Sequence, residues 1–375
     1  MVDLFCGCGG LSLGIVEACR QHKVTVEIAF AVDTDKDALQ VYRRNIGSIC
    51  ARAECAGIEE LFRGTLNARL SERERKLANE VGQIDLLVAG PPCQGHSDLN
   101  NHSRRLDRRN ALYVRVARAT DVLRPSVVII ENVIGVVNDR GRALSRTQSL
   151  LVSRGYAVEL IRIDASAVGA AQNRRRHFLV AFAESSKPRW TPLPTHHGDS
   201  WTVGDVLAGL EDEPVSSKST FGTPSKCTET NQRRIEFLFN AGIYNLPDSR
   251  RPPCHKNNEH SYRAVYGRLR WDGTANTITS GFGSMGQGRY VHPTRRRVIT
   301  PHEAARLQGF PDWFRFDHVD SRGSLQMMIG NAVVPRVAAW LVRHLLKSGI
   351  LKARPTLAES SRERPRRAGK RYRVA

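Results

Sequence analysis

The 375-residue chain is 41% hydrophobic, long enough for two lobes with cores of their own, and has no run near the ~20 apolar residues of a membrane-spanning helix. Lys and Arg number 57 against 37 Asp and Glu, a formal charge of +20, which predicts a polyanionic partner, nucleic acid before an anionic membrane. Eight cysteines without a CxxC pair support neither a zinc site nor a disulfide framework, and the first residues start a strand without a leader peptide, so a reduced, cytoplasmic, nucleoid-associated protein is expected.

Val2 to Phe5 reads as a short strand, followed at once by CGCGGLSLG and a helix with Leu11, Ile15, Val16 and Cys19 on its apolar side. Strand, glycine turn and helix form a cradle in which backbone can approach a nucleotide-like ligand and the helix start offers free N–H groups. A second strand, Val24 to Val32, ends in Asp33, where a carboxylate can take both hydroxyls of a ribose. Asp33 could instead cap the helix carrying Ala38, Leu39 and Tyr42, a task that Asp35 fits as well. Residues 43–83 are polar and suggest only a solvated helix around Ser71 to Val81.

Ile84 to Ala89 is a buried strand, and Gly90, Pro91, Pro92 and Gly95 force an abrupt exit from its C-terminal end. Ligand crevices of open α/β sheets lie at such ends, so Cys93, among polar Gln94, His96, Ser97 and Asn100, is the candidate nucleophile. An arginine-dense stretch, NHSRRLDRRN, could meet phosphates. A helix Ala111 to Leu123 then leads to the strand Ser126 to Ile130, which ends in Glu131, Asn132 and Val133. Helix 142–154 and strand Tyr156 to Asp164 precede GAAQNRRRHFLVAFA; if that last strand is antiparallel at the sheet edge, Arg174 and Arg176 point to one side. From about Ser185 the texture turns to Pro, Gly, Thr and paired arginines, with a helix at Asn231 to Ala241 and a Gly/Thr/Arg-rich segment around Arg268 to Arg297 suited to nucleic acid. Thr300 and Glu303 form a capping box on a helix that stops at Gly309, and an apolar helix runs from Pro335 through Leu346. The final 24 residues hold nine Lys or Arg against two Glu and should be a disordered tail that adds non-specific affinity.

The ordered set DLFCGCGGLS, VDTD, GPPCQG, IIENV, QNRRR, ITPHEAARLQGFPD and GNAVVP resembles the DNA (cytosine-5) methyltransferases of bacterial type, in the family's order and spacing to about residue 346. The resemblance implies an α/β fold. Its large Rossmann-like domain, at 1–184 and 324–350, would be S-adenosylmethionine-dependent; a smaller loop-rich DNA-recognition domain would occupy 185–323, with the basic tail at 351–375. It implies S-adenosyl-L-methionine held by Asp3, Phe5, Cys6, Gly7, Gly9, Gly10, Asp33, Pro91 and Asn331. Cys93, Glu131 and Arg176 would be catalytic with Arg174 in support, and Gln94, Ser97, Arg268, Thr277 and Ile278 would contact DNA. Double-stranded DNA, bound by a monomer, is the implied partner, with a cognate restriction endonuclease in the same system as a second. Two departures stand out: His96 replaces the family's Phe, and no acidic residue for the cofactor adenine is found around Gly64 to Asn67. The chain also lacks the few residues that many relatives carry before the first strand. The RNA-methylating branch would carry Cys-Phe-Thr where this chain has Cys227-Thr228, a degenerate DNA-binding module has no need of Cys93, Glu131 and Arg176 together, and amino methylation would replace Gly90 and Cys93.

Overall fold

In the computed structural model, the residues described are 1–92, 111–138, 141–183, 201–210, 219–256 and 264–352. Eight of the strands are β1 (Val2–Leu4), β2 (Phe30–Asp33), β3 (Ala53–Cys55), β4 (Leu86–Ala89), β5 (Val127–Val133), β6 (Tyr156–Asp164), β7 (Gln172–Asn173) and β8 (Arg175–Ala183). Seven form one sheet in the order β3-β2-β1-β4-β5-β8-β6. The first five are parallel, and β8 runs antiparallel to both β5 and β6. The antiparallel direction agrees with the sequence reading, but β8 is interior and β6 is the edge. Residues 24–27, read as part of the second strand, are not extended into the sheet; Ile28 makes an isolated bridge with Cys50 and β2 begins at Phe30.

Alternation along β5 shows why the sheet is covered on both faces. Val127 and Ile129 enter one apolar cluster with α1 (Gly10–Gln21) and residues of 333–351, while Val128 and Ile130 enter another with residues of the opposite layer. That opposite layer comprises α3 (Ile58–Leu61), α4 (Glu72–Val81), α5 (Ala111–Leu123) and α6 (Ala143–Ser153). Next to β2 stands α2 (Lys36–Ile46), capped by Asp35, whose Oδ1 accepts from the N–H groups of Asp37 and Ala38.

The later elements are α7 (Val203–Leu207), α8 (Glu229–Asn240), β9 (Ala275–Asn276), α9 (Pro301–Gln308), α10 (Arg322–Asn331) and α11 (Pro335–Lys347). Thr300 and Glu303 make the expected capping box and Gly309 ends α9 at φ 91°. β9 pairs in parallel with β7, tying the Gly/Thr/Arg-rich segment to the end of the large sheet. Val203, Leu207, Ile278, Phe310 and Leu325 share one core with Leu39 and Tyr42 of α2. A smaller core of Ile235, Leu238, Leu246, Val265, Met285, Val291 and Val298 lies under α8.

Arg322–Lys347 has the length and apolar composition of a membrane span, but 72% of its apolar window is buried and ψ 141° at Ala332 breaks it into α10 and α11. α11 runs beside α1 in the same direction: Gly10 meets Val333, Gly14 meets Pro335 and Ala338, and Gln21 meets Arg343. A β-carbon on Gly14 would collide with the Pro335 carbonyl oxygen and lie 2.7 Å from the Ala338 Cβ. Because two backbones meet there, Gly14→Ala is expected to lower stability by ~1–3 kcal/mol despite alanine's better helix propensity. Urea unfolding tests this; an unchanged or raised midpoint would show that the two helices can move apart at no cost.

Candidate active site

The parallel strands β1, β2, β4 and β5 open at their C-terminal ends onto one crevice. The turn after β1 is held left-handed at Phe5 (φ 58°), Gly7 (51°) and Gly9 (102°). A β-carbon on Gly7 would meet nothing within 4 Å, so the turn has an open side there. Gly10 differs: its β-carbon would collide with the Val333 carbonyl, so the missing side chain lets α1 pack against that segment. The side chains of Asp3 and Cys6, expected at the cofactor, are instead buried in the interior, which corrects that reading. Asp3 accepts from the Ser12 hydroxyl at 2.6 Å, and burial pushes its carboxyl up to about 7.

Asp33 accepts from the Gly7 N–H at 2.8 Å and the Asp35 N–H at 2.9 Å. With Asp35 capping α2, Asp33 is free to serve the crevice, and each of its carboxylate oxygens retains room to accept a further donor. Burial raises its pKa, and the Asp35 and Gly7 amides pull against that. Cys55 stands opposite Asp33 in the register, and the Ala56 N–H donates to the Asp33 carbonyl, so Cys55 to Ile58 form the next part of the rim. This wall was missed in the sequence because β3 is three residues long and not apolar. At the opposite side, Cys8 Sγ lies 3.5 Å from the Met328 carbonyl, which sets the end of α10, with exposed Asn331, against the glycine turn.

Pairing of Ala89 with Ile130 puts the exit of β4, Gly90 and buried Pro91, beside Glu131. Glu131 is only 6% exposed, and Arg176, diagonal to it across β5 and β8, places Nε 3.0 Å from Oε1. Burial raises the Glu131 pKa; Arg176 and then Arg174 act to lower it. Arg174, expected to support catalysis, points its guanidinium into the interior, donating to the carbonyls of Ile278 at 2.8 Å and Gly330 at 3.1 Å. It is a positioning residue that clamps β9 and α10 to the sheet. Gln172 works beside it, donating to the Leu307 carbonyl and to Gln308 Oε1 while its own Oε1 accepts from the Ile278 N–H. Gln308, fully buried, donates on to Ile329; its role in this network is invisible in the sequence, where it is one polar residue of a helix.

The expected DNA-reading residues need correction. Ile278 is fully buried in the shared core, and the Thr277 hydroxyl donates to the Asn173 carbonyl at 2.7 Å. Arg268 lies between the rings of Phe239 and Tyr244, 4.5 Å from each centroid, and is 9% exposed, so its guanidinium braces the edge of the smaller core under α8. Exposed Arg270 covers Tyr244 at 4.7 Å and exposed Arg296 covers Phe239 at 5.2 Å, extending the stack at both ends. Cys93, Gln94 and Ser97 lie outside the described residues, as do residues 353–375 of the basic tail.

The comparisons with known proteins agree with this geometry. The model of the C-5 cytosine-specific DNA methylase family matches residues 1–347. The chain is 41% identical to Type II methyltransferase M1.BsuMI of Bacillus subtilis (strain 168), over 92% of this chain and 80% of that protein. It is 26% identical to DNA (cytosine-5)-methyltransferase 3 of Arabidopsis thaliana, over 92% of this chain and 30% of the plant protein. A solved Escherichia coli prophage protein, described as a DNA modification methyltransferase, superposes with a TM-score of 0.64 at 28% identity, covering 92% of this chain and 97% of its own. The chain belongs to the C-5 cytosine-specific DNA methylase family and is a DNA cytosine-5 methyltransferase.

Proposed function

We propose that this enzyme uses S-adenosyl-L-methionine to methylate C5 of a cytosine turned out of double-stranded DNA, through a transient covalent bond from Cys93 to C6 of the ring. The observation that carries the reading is the buried Glu131 carboxyl, paired with Arg176 at 3.0 Å where the Cys93 segment leaves the sheet. The crevice fits the cofactor: Gly7 leaves open space, and Asp33 retains acceptor capacity for ribose hydroxyls. Phe5, Gly7, Gly9, Pro91 and Asn331 would line the rest. No acid stands at Gly64 to Asn67; at the β3 end of the rim, Gly57 and Ile58 would meet the adenine through backbone instead. When bound, S-adenosylmethionine supplies an electrophilic methyl group on a sulfonium.

C5 of cytosine is a poor nucleophile until the ring is converted to an enamine. The Cys93 thiolate adds to C6, and the displaced electron pair is taken up toward N3, where the Glu131 carboxyl shares its proton. Arg176 orients that carboxyl and would hold the base O2. C5 takes the methyl group, the C5 proton passes to water, and Cys93 leaves as C5=C6 reforms. Flipping is required because C6 cannot be reached inside the stack, and Gln94 and Ser97 are candidates to hold the vacated space. The enzyme acts as a monomer in the cytoplasm on nucleoid DNA, as the modification partner of a restriction endonuclease or without one; the Type II name of the B. subtilis relative favours the former.

The test is base-resolution mapping of 5-methylcytosine in DNA from a methylation-free host that expresses the chain. One short methylated motif is expected. Methyl groups in RNA alone, or unmethylated DNA from a protein that binds duplex and cofactor when purified, would overturn the reading.

A further inference from the structure

The last turn of α1, the 168–171 turn, α7 with Trp201 ahead of it, the end of α9 and the outer face of α11 enclose a cavity of about 540 Å³. Its volume is in the usual range for small-molecule sites, roughly 300–1,000 Å³. It is not part of the crevice. The crevice meets α1 at Gly9 and Gly10, whereas the cavity meets it at Glu17, Arg20 and Gln21, roughly 10–17 Å further along at ~1.5 Å per residue.

Much of the charge in its wall is already satisfied. Arg306 is paired with Asp312 and donates to the carbonyls of Val206 and Ala208, and Asp205 closes the capping box of Thr202. Arg20, Arg336 and Arg343 remain, facing one carboxyl, Glu17, half-buried and raised in pKa by that burial against the pull of the three arginines. Arg343 is held by Gln21 at 3.0 Å, and Cζ of Arg336 lies over the Trp201 ring, 4.1 Å from its centroid. Among the described residues Arg336 has no carboxylate within ion-pair distance. Stacking fixes a guanidinium by its face and leaves its in-plane N–H fork free, the arrangement that recognises phosphate oxygens in pairs.

We propose that this cavity binds a small phosphorylated ligand through its phosphate group, with Arg336 and Arg343 as the fork and Arg20 as the third cation. Concavity and size select a small molecule over a strand of DNA, whose phosphodiester would present the same oxygens. The second site would give the methyltransferase a ligand-sensing face at the far end of the helix whose first turn borders the cofactor crevice.

Calorimetric titration of the full chain with ribose 5-phosphate and with ribose tests this, because neither carries a base that could enter the crevice. Saturable binding of ribose 5-phosphate alone is expected, accompanied by a change in Trp201 fluorescence that Trp201→Phe removes. Arg336→Gln and Arg343→Gln should each weaken it about tenfold, the loss of one charge-assisted contact, while DNA methylation continues at the wild-type rate. Equal binding of ribose, no saturable binding, or an affinity that both variants leave unchanged would overturn the proposal. Displacement of the sugar phosphate by a short duplex would also overturn it, assigning the cations to the DNA backbone.

Discussion

Cys93→Ser is expected to stop methylation altogether, whereas Glu131→Gln should slow the chemical step by about 100- to 10,000-fold and leave DNA and cofactor affinity near wild type. The two losses differ in kind. Serine has no accessible anion near neutral pH, so no bond to C6 forms; glutamine leaves the thiolate in place but has no proton to share with N3. DNA with fluorine at C5 separates them, since fluorine cannot leave as a cation and the adduct to Cys93 accumulates. That adduct should be absent in Cys93→Ser and form slowly in Glu131→Gln. The pH dependence has a definite sign. Burial raises the Glu131 pKa, with Arg176 and Arg174 pulling back, so its protonated form persists to higher pH than an exposed glutamate's. A step that uses this proton weakens as pH rises through that raised value, and the glutamine variant should lack that limb of the single-turnover profile. A Glu131→Gln enzyme within threefold of wild type at every pH would remove Glu131 from the proton path.

Much of this arrangement was legible in the sequence because the crevice is built at strand ends, and strand ends are marked by local chemistry. β1, β4 and β5 announce themselves as apolar runs stopped by glycine, proline or a carboxylate, and α5 and β6 fall on the residues expected of them. The misses have physical reasons. β3 is short and half-exposed, with no alternation to betray it, so the rim at Cys55 to Ile58 carries no signal in the sequence. Arg174 and Arg176 look equivalent as neighbours in QNRRR. Arg176 lies beside Glu131, while Arg174 reaches carbonyls 104 and 156 residues away, a distinction that only tertiary contact can make. Arg268 failed as a base reader for a similar reason: an arginine's solvent access depends on which aromatic rings close over it, and Phe239 and Tyr244 lie at the end of α8 and just after it, remote from Arg268 in the sequence.

The Gly64 to Asn67 stretch has another task, and the residue that reveals it should be among the costliest to change. Arg118 on α5 and Glu74 on α4 form a bidentate pair, Nε to Oε1 at 2.9 Å and Nη2 to Oε2 at 2.7 Å, with exposures of 1% and 0%. The guanidinium also donates to the carbonyls of Ala68 and Arg69, and the carboxylate accepts from the N–H groups of Gly64 and Ser71. A β-carbon at Gly64 would lie 2.7 Å from Cζ of Arg118, so the glycine is there to admit the arginine. One ion pair thus holds an irregular segment between α3 and α4 in which no residue after Phe62 is buried. Arg118→Met should cost ~3–5 kcal/mol, because it strands a buried carboxylate and two carbonyls, while Arg118→Met with Glu74→Leu should cost less than the two single changes added together. Burial alone would raise the Glu74 pKa, but the hydrogen bonds from Arg118 and Ser71 overcome it and hold it at about 2. Against an unfolded value of ~4.3, the pair's stabilisation is fully present above that pH and is lost as pH falls through the folded value. Urea midpoints of wild type and Glu74→Gln should therefore lie far apart at neutral pH and converge toward pH 2. A gap that stays constant over that range would mean that the carboxylate's charge contributes nothing and that the hydrogen bonds alone hold the segment.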